Sequence, residues 1–437
     1  MKRTAVLIVG GGPVGLTLSI LLKWHGVDHV LLEAREQPSA HPKARGVAAS
    51  SMETFRRCGL EAEIRAAGLP ASSVHFYRGR SLVDPDYTRT GTTPTEQRNT
   101  PSPGLVCAQD ALEPILRRHA EGWFGARLAE FSEHRTGLRA VLTDGRRLEA
   151  DWLVGCDGAA SGVRAAAGIE MVGPTGLGRY LSVRFEAPLG EVVADRASAS
   201  YFLTPPAVGG FLAVDNDRHW IYQYPLGPEP GDLVELVRGA AGIPDLPVTI
   251  RDTMTWRMDA QLAAAYRRGR VLLAGDAAHT IPPTGGHGMN TGIGDVANLA
   301  WRLAAVTSGW AEPALLEGYE AERRPIARQV IDISLANSRA RGGYRIDDEL
   351  LLGAVYGEQP RLPTEGYVPT VQVGHRAPHV WLGGGVSTVD KIGPGFTEIP
   401  YGDKTVLVRP DGYIAWCSTG PTTTKELRQV VAQLLSS

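Results

Sequence analysis

The chain has 437 residues, 43% apolar and 21% charged, with no internal repeat; at roughly 150 residues per domain it holds two or three domains and is neither disordered nor fibrous. Its 45 basic and 47 acidic residues leave a net charge of -2, which excludes a general electrostatic pull toward nucleic acid or an anionic membrane. Cys58, Cys107, Cys156 and Cys417 form no C-x-x-C pair, which excludes a zinc ribbon and a dithiol redox motif and suits a reducing cytoplasm.

The N-terminus is apolar through Leu22, but Gly10-Gly11-Gly12-Pro13 interrupts it. That break predicts a buried strand, turn and helix rather than a signal peptide or a membrane span. Residues 4–9 read as a strand buried on both faces, 10–15 as a tight turn, and 14–25 as a helix capped by Gly26. Residues 30–32 form a second strand ending at Glu33, which completes a βαβ unit. Residues 73–104 are polar and proline-rich, an excursion out of the first sheet with a loop over 88–103. Alternation recurs over 180–257. It places Trp220, Tyr222 and Tyr224 on one strand face, and Met254, Trp256 and Met258 on another. These aromatic faces read either as an ordinary core or as a sheet that covers something. Further on, 270–274 is a buried strand, 295–308 a helix, and 313–341 a long helical stretch broken at Pro325. Residues 342–367 are linker-like, and 371–437 form a small α/β module. In it, 405–408 and 413–416 flank the turn Arg409-Pro410-Asp411-Gly412, and 427–435 is an amphipathic helix.

Three stretches carry chemistry. Gly10-x-Gly12-x-x-Gly15 lies between strand and helix, where backbone N–H groups and the helix dipole favour a pyrophosphate. Glu33, at the end of the next strand, suits the ribose of FAD or NAD rather than a 2′-phosphate. Cys156-Asp157-Gly158 runs from a strand into a turn with Ser161 as a helix cap. Gly275-Asp276 ends a buried strand and precedes the glycine-rich run Pro282 to Gly292, where a flat ring can lie on backbone. The helix that follows brings its positive end to that ring.

In this order the three stretches resemble the flavin-dependent aromatic hydroxylases, the para-hydroxybenzoate hydroxylase family, over residues 4 to about 340. The run His41-Pro42-Lys43-Ala44-Arg45-Gly46 and Gln109 belong to the same resemblance. The C-terminal hairpin resembles the thioredoxin-like tail of the phenol and polyketide hydroxylase branch, shortened here. The resemblance implies an α/β fold: a Rossmann-like FAD-binding domain, an inserted antiparallel-sheet substrate domain and a small thioredoxin-like module. The expected boundaries are 1–72, 104–178 and 268–345 for the first, 73–103 and 179–267 for the second, and 366–437 for the third.

It further implies a single-component FAD-dependent monooxygenase. Such an enzyme uses NADPH or NADH and molecular oxygen to hydroxylate a phenolic or polyketide-type aromatic through a flavin C4a-hydroperoxide. The protein positions the ring and excludes water, while the cofactor carries the chemistry. Gly10, Gly12, Pro13, Val14 and Gly15 are implied at the pyrophosphate, and Glu33, Ala34 and Arg35 at the adenosine. Arg45 and Gln109 are implied along the phosphates and ribityl chain, Asp157 at FAD and the nicotinamide nucleotide, and Asp276 at the ribityl hydroxyls. Pro283, Gly286, His287, Gly288, Met289 and Asn290 are implied at the isoalloxazine. Arg45 and His287 are the candidate catalytic residues; many relatives carry glutamine at the latter, so His287 is either a neutral spacer or a group that tunes the flavin or a bound phenol. Trp220, Tyr222, Tyr224, Met254 and Trp256 are the candidate substrate wall. No metal, nucleic-acid or membrane partner is expected, and the chain is a cytoplasmic monomer or homodimer.

Alternatives of other kinds are weaker or share the scaffold. A flavin halogenase needs a Trp-x-Trp-x-Ile-Pro motif absent here, and a disulfide oxidoreductase needs paired cysteines. A Baeyer–Villiger or ring-modifying oxygenase and a flavin-binding protein without turnover stay open.

Overall fold

The structure, a computed structural model, describes residues 2–39, 41, 43–69, 76–90, 99–227, 230–339, 347, 349–418, 420 and 422–436. Pro42, the expected boundary at 72/73, residues 91–98 of the loop expected over 88–103 and the boundary at 345 lie outside these residues.

Continuous apolar runs become the parallel centre of the first sheet. Val271–Leu273, Arg147–Gly155, Lys2–Val9, His29–Glu33 and Gly122–Phe124 lie side by side, all parallel. Leu7, Ile8, Leu31, Leu153, Val154 and Leu272 are fully buried there, in one core with the helix Pro13–Trp24 and the antiparallel strands Leu128–His134 and Gly137–Leu142. One covering helix, Pro13–Trp24, packs on another, Gly288–Thr307. That second helix begins seven residues before the 295 expected from sequence. Its glycines, which read as turn residues, are close-approach points instead: a Cβ on Gly292 would meet Val14 Cγ2 at 2.6 Å and Gly275 Cα at 2.9 Å.

A second sheet, almost wholly antiparallel, runs in the order Thr249–Met258, Gly178–Glu186, His219–Pro225, Gly209–Ala213, Ser200–Leu203, Phe76–Gly79, Thr88–Thr90. The helix Leu233–Ala241, capped by Asp232 and ended by a left-handed Gly242, covers one of its faces. The other face looks toward the first sheet.

The helix Glu317–Arg339 runs through Pro325 without a break, contrary to the expectation of one. Its inner face, including Ile326, Ala327, Val330 and Ile331, is fully buried, and that burial outweighs one lost backbone hydrogen bond. Three antiparallel strands, Thr397–Tyr401, Lys404–Val408 and Ile414–Ser418, and the helix Thr424–Ser436 follow. Ion pairs dock this tail: Arg56 on Asp390 at 2.6 Å, Arg376 on Glu53, and Arg409 on Glu322 at 2.7 Å. No helix among the described residues is long and apolar enough to cross a membrane.

Candidate active site

Two helices turn uncapped N-termini to one cavity. Gly12 precedes Pro13–Trp24 and His287 precedes Gly288–Thr307, and neither side chain caps its helix. Each helix therefore offers free amide N–H groups and the positive end of its dipole. The cavity they face is continuous, about 1240 Å³ in volume, and touches Gly10, Gly12, Pro13, Val14, Glu33, Ala34 and Arg35 at one end.

The three glycines of the first turn do different work. Gly10 has φ +108°, and a Cβ there would lie 2.3 Å from the Cys156 carbonyl oxygen. A Cβ on Gly15 would lie 1.9 Å from the Gly10 carbonyl oxygen. Gly12 has extended backbone and open space where a Cβ would stand. The first and third are demanded by the fold, and the second leaves room for a ligand. Beside them Glu33 accepts from the amides of Gly11 at 2.6 Å and Arg35 at 2.8 Å, and from the Arg35 guanidinium at 3.1 Å. Burial pushes its pKa up, but those donors outweigh burial and hold it below the usual carboxylate range. A carboxylate has about four acceptor sites, so one is left for a sugar hydroxyl.

Asp157 touches the cavity, yet its own turn uses both oxygens: Ser161 Oγ donates to one at 2.5 Å and the Val163 amide to the other at 3.0 Å. Ser161 in turn caps the next short helix by accepting from the Arg164 amide at 2.9 Å. Asp276 stands differently. The turn Gly275–Ala277 lifts it from the end of Val271–Leu273, and Gly275 has φ +62°. Its side chain is exposed on the cavity wall, and the surrounding protein, poorer in water than solution, raises its pKa against the pull of His279 and Lys43.

Beneath the turn, Asp295 is fully buried and accepts from His279 Nε2 at 2.7 Å, the Gly275 amide at 3.2 Å and Arg323 Nε at 3.0 Å. Burial raises the Asp295 pKa, and His279 and Arg323 overcome it, leaving it below the ordinary value. This triad was not anticipated from sequence. The spacing of His279, Asp295 and Arg323 follows no motif, and only the packing of the two long helices brings them together.

Pro283, Gly286, His287, Gly288, Met289 and Asn290 all border the cavity. Gly286 has φ +70° and open space at its Cβ position, a second surface on which a flat molecule can lie. Asn290 makes four hydrogen bonds within the protein: Oδ1 accepts from the Ala48 amide and Ser51 Oγ, and Nδ2 donates to the Gly46 and Gly286 carbonyls. It therefore ties the loop at Gly46 to the loop at Gly286, and its amide has nothing left to offer a cofactor. His287 is 4% exposed, and burial lowers its pKa to about 4. Its ring leans over Gly285, where a Cβ would meet Nε2 at 2.6 Å.

The lowered His287 pKa has a consequence for stability. The unfolded chain takes up the proton near 6.5 and the fold only near 4. The neutral ring's contribution is thus complete above pH 6.5 and is lost as pH falls toward 4, by about 3 kcal/mol. Urea midpoints at both ends of that range are expected to fall less in His287→Gln than in the parent. Equal falls would refute the assignment.

Arg45 borders the cavity, and its guanidinium is engaged within the protein. Its guanidinium donates to the Ala199 carbonyl at 2.6 Å, the Ala213 carbonyl at 2.9 Å and Ser200 Oγ at 3.0 Å. It joins the first domain to the second sheet, and burial without a carboxylate partner lowers its pKa to about 10. Gln109 also borders the cavity and is held at both ends, by the Ala44 amide at 3.2 Å and Glu113 at 3.1 Å.

Trp220 and Tyr222 are fully buried on the far face of the second sheet, under Leu233–Ala241, and Tyr224 packs with them. They form core, not substrate wall. The registers explain why: Tyr222 pairs with Val183 and Phe211, whereas Gln223 pairs with Ser182 and Gly210 on the cavity side. Met254 shares that side without bordering the cavity, and Trp256 does border it. Sequence reading missed Phe76, Tyr180, Phe202 and Gln223, which also border it. The alternation carried the signal, since the less apolar face of residues 219–225 is the one left for a ligand.

Open glycine turns, two free helix ends, an acid at a strand end and a second acid inside the cavity suit a dinucleotide with a flat ring at its far end. The family profile described as "FAD binding domain" matches residues 3–334, and "Aromatic-ring hydroxylase, C-terminal" matches residues 394–437. The chain belongs to the FAD-binding aromatic-ring hydroxylases. The hydroxylase is 34% identical to a "Putative polyketide hydroxylase" of Streptomyces halstedii, across 100% of this chain and 98% of that one. It is 33% identical to "Aklavinone 12-hydroxylase DnrF" of Streptomyces peucetius, across 89% of each. Among solved structures it resembles the flavin-dependent monooxygenase PieE in complex with FAD and substrate (TM-score 0.91, 26% identity, 99% of each chain). It also resembles a ternary complex of aklavinone-11 hydroxylase with FAD and aklavinone (TM-score 0.87, 29% identity, 100% of this chain and 99% of that one). The hydroxylase is an FAD-dependent monooxygenase, and the resemblance read from its three sequence stretches holds.

Proposed function

We propose that the hydroxylase takes electrons from NADPH or NADH and inserts one atom of molecular oxygen into a flat, multi-ring phenol of polyketide type, in the cytoplasm. One observation carries this reading: a single cavity of about 1240 Å³ joins the glycine turns to the aromatic face of the second sheet. Pockets for one small ligand run to roughly 300–1,000 Å³, so the volume supports a second flat molecule beside the cofactor. The polyketide hydroxylases among its relatives support the substrate class, and four unpaired thiols support the compartment.

In this reading Gly12 and its neighbours Gly10, Pro13, Val14 and Gly15 hold the FAD pyrophosphate, and Glu33, Ala34 and Arg35 hold the adenosine end. Asp276 accepts hydrogen bonds from the ribityl hydroxyls. Pro283, Gly286, Gly288 and Met289 form the surface under the ring, with the end of Gly288–Thr307 supplying positive potential. When bound, FAD supplies the two-electron and oxygen chemistry. The second sheet closes over the reacting ring and keeps water out. His287, neutral at working pH, accepts a hydrogen bond from a phenol hydroxyl without adding charge.

The test uses danthron, a dihydroxyanthraquinone, as the aromatic. It is expected to accelerate NAD(P)H oxidation and to gain one oxygen in mass. Oxidation without any oxygenated product would overturn the reading. Asp276→Ala is expected to weaken FAD binding about tenfold, the worth of a charged hydrogen bond, as read by equilibrium dialysis. Unchanged affinity would remove Asp276 from the cofactor site.

A further inference from the structure

The cavity face of the second sheet is shaped as a slot. Strand registers put Ser182, Gln223, Gly210 and Phe202 in one row across four neighbouring strands. On one side Trp256 stacks on Tyr180, with centroids 4.4 Å apart and planes 15° apart. Trp256 Nε1 donates to Ser182 Oγ at 3.0 Å, which fixes the indole. On the other side Phe202 stacks on Phe76 with centroids 6.0 Å apart. The strands that carry these walls are three spacings apart, roughly 14 Å.

Between the walls, among the described residues, the floor is nearly bare. Gly210 contributes no side chain, and a Cβ there would press on the Tyr201 carbonyl oxygen at 3.0 Å. Gln223 projects from the same row. Its amide opens into the cavity and, among the described residues, has no protein partner.

Two apolar walls and a flat floor grip a fused-ring plane, but they leave it free to slide or to turn end for end. One fixed polar group removes that freedom. A glutamine amide offers both donors and an acceptor, so it matches a hydroxyl, a quinone carbonyl or the hydrogen-bonded pair of the two. A ligand lacking oxygen at that edge leaves the amide unpaired and is disfavoured. We infer that Gln223 is the specificity-determining residue of the slot: it reads an oxygen substituent on the edge of a multi-ring substrate and so sets which carbon is hydroxylated. The inference rests on the monooxygenase reading above and adds the residue that orients the substrate.

Binding and turnover separate the two. With FAD-loaded protein, danthron and oxygen-free anthracene are titrated against parent and Gln223→Leu, following quenching of flavin fluorescence. Gln223→Leu is expected to keep its FAD, to bind danthron about tenfold more weakly, and to bind anthracene within about twofold of the parent. Its hydroxylated danthron is expected to be a mixture of positional isomers where the parent gives one. Unchanged danthron affinity and product pattern would overturn the inference, as would equal weakening of both probes, which marks a merely structural role. Failure of the parent to bind danthron would overturn the slot itself. Binding without oxygenation would sink the proposed function and leave the slot standing. If Gln223→Leu loses FAD, Gln223→Glu keeps the shape and removes the donors, and the same tenfold loss is expected.

Discussion

Gly12→Val is expected to weaken FAD binding about a hundredfold while the unliganded fold keeps its urea midpoint. The reason lies in the contrast among the three glycines of one turn. Gly12 sits at φ -77°, ψ -178°, extended backbone that any residue adopts. Nothing in the protein lies within 4 Å of a Cβ placed there. The added side chain therefore stands in the cavity itself, between the helix Pro13–Trp24 and the phosphates that its N-terminus attracts. Gly15→Ala is the matched control. Its methyl group would stand 1.9 Å from the Gly10 carbonyl oxygen, so it must push turn and helix apart, and such overpacking costs about 1–3 kcal/mol or more. Dialysis against FAD and unfolding of the flavin-free protein distinguish the two. A Gly12→Val protein that keeps flavin at parent affinity would show that the phosphates lie elsewhere.

Asp295→Ala is expected to cost about 3–5 kcal/mol, the usual penalty for stripping one partner from a buried pair. Asp295 and Arg323 are almost completely buried, and Arg323 also donates to the Tyr356 hydroxyl at 2.9 Å and the Thr291 carbonyl at 3.0 Å. Without the carboxylate those two neutral acceptors cannot balance a full charge away from water. The loss also reaches the cavity, because Asp295 holds the Gly275 amide and thereby the turn that presents Asp276 to it. Weaker FAD binding is expected alongside the lower urea midpoint. Adding Arg323→Met to Asp295→Ala is expected to recover part of the stability, since the stranded cation is then gone. If the double variant were less stable by the sum of the two single losses, the pair would not be coupled and the account would fail.

The first strand, the glycine turn, its helix and Glu33 were readable in the sequence because each is set by neighbours along the chain. A buried parallel strand is a continuous apolar run, and Gly10 and Gly15 are forced by contacts inside one strand-turn-helix unit. Asp276 was readable for the same reason. Arg45 and Asn290 were named as cofactor-binding residues, and both border the cavity, but the use of their side chains was not readable. Arg45 hydrogen-bonds to residues 154 to 168 positions away, and Asn290 to residues 239 to 244 away as well as to Gly286. No local pattern records such partners. The buried Asp295–Arg323–His279 triad was missed on the same ground.

Thus the sequence alone determined that this chain belongs with proteins that fold around a dinucleotide with a flat ring, and in what order the three cavity-facing turns come. Tertiary structure alone decided which side of residues 219–225 would line the cavity. Period-two alternation defines two faces and is silent on which is covered. The helix Leu233–Ala241 packs on the face that carries Trp220 and Tyr222, burying the larger apolar surface there. Gln223 and the aromatic pairs beside it are left to line the cavity.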